Sequence, residues 1–416
     1  MSMQEQARTG GWRLDRHDPM LRAVLSLGIT QITAWGTTYY ALGVLATPII
    51  EGMGWSRSIV FLGFSIGLLV MSAVSTTIGR LIDVRGGRLV MSIGSILTSI
   101  GLVALALVQS ETTYLAAWAL LGVAMRMNLY DAAFAALVQV APSRGRRAIS
   151  YLTLFGGFAS SVFWPIGHYL AGGVGWRNAF LIYAALNLAV CLPLHWFGLS
   201  HRETARAPEM PNEPKPHAVP AEAPLEGAAR TAAIVLFAGI MSLNGFVFSA
   251  LSIHLVPVLQ ATGLAAAAAV WLASLKGVAQ VGGRIVEMTI WHNLHPLTVG
   301  RIALALLPLS LALLLAGGGS FETALAFTLI MGASQGIITI VRGAVPLALF
   351  GAKGYGAVLG LIATPILLVN ALSPPGYALI IDTWGNRVGE MVLLVCSLLA
   401  ALAMEATAWW YRNRQR

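Results

Sequence analysis

Four ionisable side chains interrupt long apolar stretches of this sequence, and they are its strongest candidates for chemistry: Arg126, Asp131, Lys276 and Arg342. Arg126 and Lys276 fall near the middle of their stretches, whereas Asp131 and Arg342 fall nearer one end. A charged group deep in an apolar layer is costly unless it faces a cavity or a partner, so each is a functional candidate. Two bases that face one cavity favour an anion, since arginine offers a planar fork and lysine a point charge.

Arg126 and Asp131 are close in sequence but are not expected to neutralise each other. They are five residues apart, which is about 140° around the axis of a regular helix, so they should point to different sides. Asp131 is then available to another base, and Arg126 to the cavity. Arg126 and Arg342 have a second interpretation, in which they bond carbonyl groups at a helix end or reach toward lipid headgroups.

The composition indicates that the apolar layer is a lipid bilayer. Of the 416 residues, 57% are hydrophobic and 10% are charged, whereas soluble proteins carry roughly 25% charged residues. The mean hydropathy is +0.75. Apolar runs of about 20 residues, each long enough to cross a bilayer, recur along the chain. The sequence therefore predicts an all-α integral membrane protein.

Charges, Gly/Pro turns and polar clusters divide the chain into twelve predicted membrane spans. Their approximate limits are 20–48, 57–78, 89–109, 113–140, 148–172, 177–199, 230–260, 265–290, 297–317, 322–349, 355–381 and 388–411. The polar, proline-rich residues 200–229 predict a cytoplasmic linker. The expected domains are an N-terminal six-helix bundle at 1–199, with a cytoplasmic tail at 1–19, and a C-terminal six-helix bundle at 230–416.

The basic residues predict the orientation. The chain has a net charge of +9 and 26 Lys and Arg. About 20 of these bases, Arg284 among them, are assigned to the loops on one side of the predicted spans. This bias predicts that both termini are cytoplasmic, in a multi-pass protein of the cell inner membrane, and it argues against a nucleic-acid partner. The start of the chain has no apolar signal segment. Cys191 and Cys396 lie in separate apolar runs, which predicts neither a disulfide framework nor a metal site.

The two halves of the chain repeat each other. Four pairs of residues share an offset of 209: Gly36 and Gly245, Pro48 and Pro257, Gly54 and Gly263, Pro165 and Pro374. A charged motif recurs at an offset of 204, as Gly79-Arg80-x-x-Asp83 and Gly283-Arg284-x-x-Glu287. These agreements predict a duplicated six-helix unit with its repeat axis along the membrane normal.

The charged turn between the second and third spans carries the most specific motif. Residues 79–88 read GRLIDVRGGR, which resembles the signature of the major facilitator superfamily, Gly-x-x-x-Asp-Arg/Lys-x-Gly-Arg/Lys-Arg/Lys. The matching positions are Gly79, Asp83, Gly86 and Arg88. Val84 and Gly87 depart from it, and Arg85 supplies a displaced charge. The segment EGMGWSR at 51–57 is similar to the bacterial monocarboxylate-transporter-like branch of that superfamily.

The resemblance implies a conformational latch at this turn. In the family the acid of the motif bridges the two halves when the outward face is open, and a base at its end pairs with an acid on the fourth span. Asp83 would meet the N-terminus of the eleventh span, whose dipole favours an anion, and Arg88 would pair with Asp131. The implied latch residues are Gly79, Asp83, Gly86, Arg88 and Asp131. The alternative is that the turn serves only membrane topology.

The resemblance also implies a substrate site at the midplane between the halves, with Arg126 and Lys276 on opposite walls. The further candidates are aromatic or amide side chains: Tyr39, Tyr40, Asn244, Asn128, Gln335 and Asn370. For these the alternative is ordinary packing or a place in an interface belt. His168 and His254 lie toward span ends, where a packed, hydrogen-bonded histidine is the commoner case.

The implied function is secondary active transport of a small solute. The four membrane charges sum to +2, which favours an organic anion such as a monocarboxylate, moved by proton symport or by exchange with a counter-substrate. The alternatives are an efflux carrier for drugs or metalloids and a membrane sensor that binds without transport. No phosphate-binding loop and no catalytic or zinc-binding arrangement stands out, so no enzyme, cofactor or metal is expected. A monomer in the bilayer is expected.

Overall fold

A computed structural model describes residues 18–203, 224–317 and 319–415, and the regular structure in these ranges is helical. Most of the predicted tail at 1–19 and of the predicted linker at 200–229 lies outside the described residues. The α-helices of the described ranges are α1 (Pro19–Ala34), α2 (Leu42–Met53), α3 (Arg57–Ala73), α4 (Ser75–Arg85), α5 (Gly87–Ala106), α6 (Glu111–Asn128), α7 (Tyr130–Val140), α8 (Gly145–Gly157), α9 (Ala159–Leu186), α10 (Leu192–Gly198), α11 (Gly227–Ala261), α12 (Ala266–Thr289), α13 (Pro296–Ala316), α14 (Phe321–Phe350), α15 (Tyr355–Trp384) and α16 (Asn386–Gln415).

These helices confirm the predicted twelve-helix membrane fold. Eight continuous helical segments of the described chain are long and apolar enough to cross a membrane, and α3 with α4, which meet at a 53° bend, makes a ninth. One of the eight, Pro142–Gly198, is 57 residues long and is broken at Gly175, where φ is 82°, so it provides two spans. The other two spans are α12 and the pair α1 and α2, which a π-helical turn at Trp35–Tyr39 joins.

Helix ends follow the local sequence. Ser56, Ser110 and Ser320 cap α3, α6 and α14, because each hydroxyl accepts a hydrogen bond from a backbone N–H of the first turn. Gly54 ends α2 in the left-handed conformation, with φ at 68°, which glycine adopts without steric cost. These signals explain why the predicted boundaries lie within a few residues of the observed ones.

The fourth span is not one continuous helix. α6 ends at Asn128 and α7 begins at Tyr130, because Leu129 between them is extended, with φ −79° and ψ −173°. An extended residue changes the rotation of everything that follows it relative to a regular helix. The break therefore redirects Asp131, on the first turn of α7.

The N-terminal half (described residues up to 203) and the C-terminal half (described residues from 224) pack together at one end. There α3 and α4 pack on α15, and α8 packs on α12 and α14. Gly79 of α4 and Gly356 of α15 allow the closest approach, since a Cβ on Gly79 would overlap the Gly356 carbonyl. This end also holds Glu203 and Leu225, which flank the undescribed segment, and it is called the linker end below. The opposite end is called the far end.

Candidate functional site

Three charged side chains meet where the two halves join. Nη2 of Arg342, on α14, donates a hydrogen bond of 2.7 Å to Oδ2 of Asp131, on α7. The same oxygen lies 3.5 Å from Nη1 of Arg126, on α6. The side chains of Arg126 and Asp131 are 1% and 3% exposed. One carboxylate therefore faces two guanidinium groups in the interior.

This arrangement corrects the expectation that Arg126 and Asp131 point apart. The prediction assumed a regular helix, in which five residues turn the chain by about 140°. The extended Leu129 removes that relation and brings the two side chains together. Arg126 and Arg342 both face Oδ2 of Asp131, whereas its Oδ1 is buried without a hydrogen-bond partner among the described residues. Arg88 does not pair with this carboxylate.

Arg126 is only partly satisfied by its neighbours. Its Nε donates a hydrogen bond of 2.6 Å to Oγ of Ser75, the first residue of α4. Its Nη2 is buried, and no described residue provides a hydrogen-bond partner for it. A buried donor without a partner is costly, and each such group calls for an explanation. A ligand that accepts a hydrogen bond at Nη2 would supply one.

A second buried guanidinium was missed by the sequence analysis. Arg284 was counted among the loop bases, but it lies within α12 and is 4% exposed. Its Nε and Nη1 are buried, and neither has a hydrogen-bond partner among the described residues. The sequence did contain a signal for this position, because Arg284 follows Lys276 by two to three helical turns in the same amphipathic stretch. An unpaired guanidinium in such a place is strongly unfavourable unless an anion joins it.

Adjacent glycines at the end of α8 make room for two of these side chains. A Cβ on Gly157 would overlap Nη1 of Arg284, and a Cβ on Gly156 would overlap the hydroxyl oxygen of Tyr130. Arg284 is also close enough to interact electrostatically with the hydroxyl groups of Tyr40 and Tyr130. The site thus joins a base of the C-terminal half to two phenols of the N-terminal half.

Aromatic rings form the wall of this site on the N-terminal half. The ring of Trp35 lies 4.9 Å from that of Tyr39 and 5.2 Å from that of Tyr130, measured between centroids. The ring of Tyr39 meets Phe64 edge-on at 5.0 Å. The π-helical turn brings Trp35 and Tyr39 to this wall together with Tyr40. Tyr39 and Tyr40 therefore belong to this aromatic wall, and their part in substrate binding stays a prediction.

Lys276 lies nearer the far end of α12 than Arg284 does, and it packs against α11. Its Nζ is 3.3 Å from Oγ of Ser252 and 5.0 Å from the ring centre of Phe248. A cation over an aromatic face is attracted by the ring quadrupole. Ser252 and Phe248 are the neutral partners of this base, so its charge remains available.

The amide candidates of the C-terminal half are close together. Asn244 and Gln335 are buried and bond each other, with 3.1 Å between Nε2 of Gln335 and Oδ1 of Asn244. Asn370 lies beside Gly245, and its Oδ1 is buried with no hydrogen-bond partner among the described residues. Asn370 is therefore the amide of this group that keeps an unused polar atom.

Asn128 does not join the site. Its Nδ2 donates a hydrogen bond of 3.1 Å to Oγ1 of Thr98 on α5, and its Oδ1 points at Gly94 of the same helix. α5 packs within the N-terminal half. Asn128 is thus an interior polar residue of that half.

The two histidines have separate surroundings. Nε2 of His254 lies 3.3 Å from the carbonyl oxygen of Pro374, and its ring meets that of Tyr377 at 5.3 Å. His254 therefore has the packed, hydrogen-bonded environment that was expected. His168, on α9, is exposed.

Asp83 has the partners that the sequence analysis predicted. Its Oδ1 accepts a hydrogen bond of 2.8 Å from the backbone N–H of Gly356, and its Oδ2 accepts one of 2.7 Å from Ala357. Both N–H groups belong to the first turn of α15, which is the eleventh span. A carboxylate at a helix N-terminus satisfies free N–H groups and interacts favourably with the helix dipole. Asp83 thereby joins the two halves at the linker end.

Arg88 does not take the partner that was expected for it. Its guanidinium carbon lies 4.2 Å from the ring centre of Trp196, on α10. Trp196 belongs to the sixth span, which the motif itself does not reveal. Gly86 ends α4 with φ at 83°, a conformation that requires glycine.

The repeated motif forms a second contact between the halves. Oε1 of Glu287, on α12, accepts a hydrogen bond of 2.9 Å from Nη2 of Arg146, and its Oε2 accepts one of 3.0 Å from Oγ of Ser150. Both donors lie on α8. Asp83 and Glu287, at equivalent places in the two repeats, therefore each hold a helix of the opposite half.

The sequence profile of the Major Facilitator Superfamily matches residues 27–318. The chain belongs to the Major Facilitator Superfamily. Members of this superfamily are secondary membrane transporters rather than enzymes, and they move small-molecule substrates. The membership agrees with the repeated motifs and with the multi-pass helical fold.

Solved structures of other superfamily members share this fold. The human organic anion transporter TETRAN matches with a TM-score of 0.71 at 14% identity, over 93% of this chain and 99% of that chain. The proton:xylose symporter XylE, bound to 6-bromo-6-deoxy-D-glucose, matches with a TM-score of 0.67 at 13% identity, over 93% of this chain and 95% of that chain. The transporter FucP in the outward conformation matches with a TM-score of 0.68 at 14% identity, over 94% of this chain and 99% of that chain. At these identities the likeness concerns the fold alone.

One curated relative is similar over a shorter region. It is described as an uncharacterized 38 kDa protein in the 23S RNA operon of Thermoproteus tenax, and it is 29% identical over 155 residues, which are 37% of this chain. The match spans 40% of that relative's length.

Proposed function

We propose that this transporter carries a small organic anion, such as a monocarboxylate, across the cell inner membrane by alternating access. The observation that carries the proposal is the guanidinium of Arg284, which is buried between the halves with two nitrogen atoms that lack a partner in the described chain. A buried, unpaired charge costs several kcal/mol, and an anionic ligand would remove that cost.

The other charges within the membrane-spanning helices strengthen this proposal. Arg126, Arg342 and Lys276 add three more bases, whereas Asp131 is the acid that faces them. Glu287 is engaged by Arg146 and Ser150. An excess of positive charge in a low-dielectric space favours anions over neutral or cationic substrates.

The geometry suits a carboxylate with a short apolar part. A guanidinium binds a carboxylate through two parallel hydrogen bonds. The hydroxyl group of Tyr40 would be a further donor, whereas that of Tyr130 already donates a hydrogen bond of 3.4 Å to the carbonyl oxygen of Thr153. The rings of Trp35 and Tyr39 would contact the apolar part. Lys276, Asn370 and Arg126 would be further contacts of the substrate.

Alternating access follows from the packing of the halves. At the linker end Asp83 and Glu287 tie the halves together. Toward the far end, by contrast, α2 packs on α3 and α9 of its own half, and α9 packs on α1, α2 and α5. This arrangement suits a state that is open at the far end, which the positive-inside bias places outside the cell, with both termini and the linker in the cytoplasm.

The comparisons support the proposal to a limited extent. TETRAN is named an organic anion transporter, and two of the matching transporters are named proton symporters. The monocarboxylate assignment itself relies on the resemblance of residues 51–57. The anion would move together with a proton. Exchange with a counter-substrate is the other possible coupling.

The test is uptake of labelled lactate, pyruvate and formate into proteoliposomes that contain the purified full chain. Arg284→Gln should lower uptake at least about tenfold, since each charged hydrogen bond contributes about 1.5–3 kcal/mol. Arg147→Gln, which removes an exposed base of α8, is the matched control and should transport like the parent protein.

The same vesicles separate the coupling modes. An inwardly directed proton gradient should accelerate uptake if a proton accompanies the anion. Unlabelled anion inside the vesicles should accelerate uptake if the protein exchanges one anion for another. Uptake in Arg284→Gln equal to the parent would contradict the site. Transport of cationic drugs in preference to anions would contradict the substrate class.

A further inference from the structure

A separate cavity lies at the linker end, outside the proposed transport site. It has a volume of about 360 Å³ and is lined by residues from both halves: Asp83, Val84, Arg85, Gly86, Ala135, Gln139, Arg202, Ala352, Lys353, Gly354 and Tyr355. Ligand pockets in proteins range over about 300–1,000 Å³, so this one has room for a small ligand or for the polar head of a larger one.

Three bases line the cavity, and each comes from a different segment. Arg85 ends α4, Arg202 lies at the start of the undescribed linker, and Lys353 lies in the turn between α14 and α15. All three side chains are exposed. Within the described part of the chain none of them forms a salt bridge or a hydrogen bond through its side chain.

The acid of the cavity does not neutralise these bases. Both carboxylate oxygens of Asp83 already accept hydrogen bonds from the backbone of α15. Glu203, which follows Arg202 in the sequence, is held by Arg144 at 2.7 Å. The bases therefore face the cavity with no carboxylate assigned to them, and the lining carries a net charge of +2 from the three bases and one acid.

The neutral walls are fixed by their own hydrogen bonds. Nε2 of Gln139 donates a hydrogen bond of 2.8 Å to the carbonyl oxygen of Ile82, and its Oε1 accepts one of 2.9 Å from the N–H of Gly87. The hydroxyl of Tyr355 donates a hydrogen bond of 2.7 Å to the carbonyl oxygen of Gly343. A rigid polar wall with free bases at its rim is suited to an anion with several acceptor oxygens.

From this geometry we propose that the linker-end cavity binds a phosphate group, held by Arg85, Arg202 and Lys353. Arginine binds phosphate through its planar fork, and lysine adds a point charge. The phosphate could be free in solution or could be the headgroup of an anionic lipid, and both offer the same oxygens.

Occupancy of this cavity would hold the two halves together. Arg85 and Arg202 belong to the N-terminal side, whereas Lys353 belongs to the C-terminal half, so a shared phosphate bridges them across the Asp83 contact. A ligand that binds the closed linker end better than the open one shifts the population toward closure. This consequence depends on the proposed alternating access, but binding itself does not.

The binding test uses the purified full chain in phosphate-free buffer without any carboxylate substrate. Inorganic phosphate in one arm, and vesicles of phosphatidylcholine with or without phosphatidylglycerol in the other, should raise the thermal transition temperature. Lys353→Ala and Arg85→Ala should each weaken the apparent affinity about tenfold or more. Arg80→Ala removes an exposed base of the same helix that does not line the cavity, and it should bind like the parent.

A response to phosphate alone identifies a free anion, and a response to phosphatidylglycerol alone identifies a lipid headgroup; either supports the cavity as a phosphate site. No response in both arms, or an equal loss of affinity in Arg80→Ala, overturns it.

Closure of the linker end is measured by disulfide cross-linking between Thr76→Cys and Thr364→Cys in a chain without Cys191 and Cys396, because the two threonine hydroxyl oxygens lie 3.4 Å apart across the halves. Binding that leaves the cross-linking rate unchanged would refute the bridging role. Failure of anion transport with binding intact would contradict only the proposed function.

Discussion

Arg342 reaches across the boundary between the two halves and donates a hydrogen bond of 2.7 Å to Asp131, which is 211 positions away in the sequence. The same carboxylate oxygen faces Arg126, so a single acid holds one base from each half. The Asp131 carboxylate therefore links the two halves through their charges, while its Oδ1 is buried without a hydrogen-bond partner among the described residues.

The first prediction concerns this shared acid. Asp131→Asn preserves the size of the side chain but removes the charge that compensates two buried or half-buried bases. Removing one partner of a buried ion pair typically costs about 3–5 kcal/mol, so the variant should unfold more easily and lose anion uptake. Equilibrium unfolding in mixed micelles and uptake into proteoliposomes measure the two effects.

Asp382→Asn is the matched control for this substitution, because Asp382 is exposed near the end of α15. Its effect should stay within about 0.5 kcal/mol, as for most surface substitutions. If Asp131→Asn were as stable as Asp382→Asn, the charge of Asp131 would not be needed to hold the bases.

The second prediction concerns the contact of Asp83 with α15. Asp83→Asn leaves a neutral side chain with one acceptor oxygen in place of two, so one N–H of Gly356 or Ala357 loses its partner. A hydrogen bond to a charged group contributes about 1.5–3 kcal/mol. The closed linker end should therefore become about tenfold or more less favourable relative to the open one.

Cross-linking of the Thr76→Cys and Thr364→Cys pair reports this change as a slower rate. Glu51→Gln, an exposed acid at the far end, should leave the rate as it is in the parent. Glu287→Gln removes the corresponding acid of the second repeat and should slow cross-linking as well. Equal rates in Asp83→Asn and Glu51→Gln would mean that Asp83 does not act as a latch.

The motif of the second span allowed the position of Asp83 to be predicted from the sequence. A carboxylate and a helix N-terminus attract each other through short-range electrostatics, and the repeat placed both at the same end of the molecule. The twelve spans were predictable for a similar reason, because apolar length is set by the bilayer.

The charged centre was less predictable, since it depends on backbone irregularities. The Arg126–Asp131 pair exists because Leu129 is extended, and the residue types around Leu129 do not predict this helix break. Arg88 contacts Trp196 through packing of the third span against the sixth, which only the tertiary structure reveals. Arg284 was misplaced because a count of charges in loops cannot tell a buried base near a helix end from an exposed one.

The third prediction concerns Gly157. A Cβ at this position would overlap Nη1 of Arg284, so Gly157→Ala should displace the guanidinium from its place between the halves. Misplacement of a binding group by about 1 Å can cost as much as about 100-fold in rate. Anion uptake should fall at least about tenfold while the protein remains folded, as size-exclusion profiles would show.

Gly172→Ala provides the control, because a Cβ on Gly172 meets no heavy atom within 4 Å. Both substitutions replace a helical glycine of neighbouring segments by alanine, so they share the effect on helix propensity. Equal uptake by the two variants would show that the position of Arg284 does not govern binding.

The fourth prediction concerns pH at the corner where the chain enters the first span. Arg144 donates two hydrogen bonds of 2.7 Å to the carboxylate of Asp18, and this pairing, opposed by partial burial, holds the pKa of Asp18 below its usual value. A depressed carboxyl pKa stabilises the folded state at pH values above the ordinary pKa of about 3.9, and this contribution is lost as the pH falls through the folded-state pKa.

Asp18→Asn should therefore lower the thermal transition temperature at pH 7, and its difference from the parent protein should begin to shrink as the pH falls below about 4. The loss at pH 7 should be modest, up to about 1 kcal/mol, because both side chains are partly exposed. Asp382→Asn removes an exposed acid elsewhere and should follow the parent at each pH. A difference between Asp18→Asn and the parent that stays constant down to pH 3 would show that the Asp18 carboxylate contributes through packing rather than through its charge.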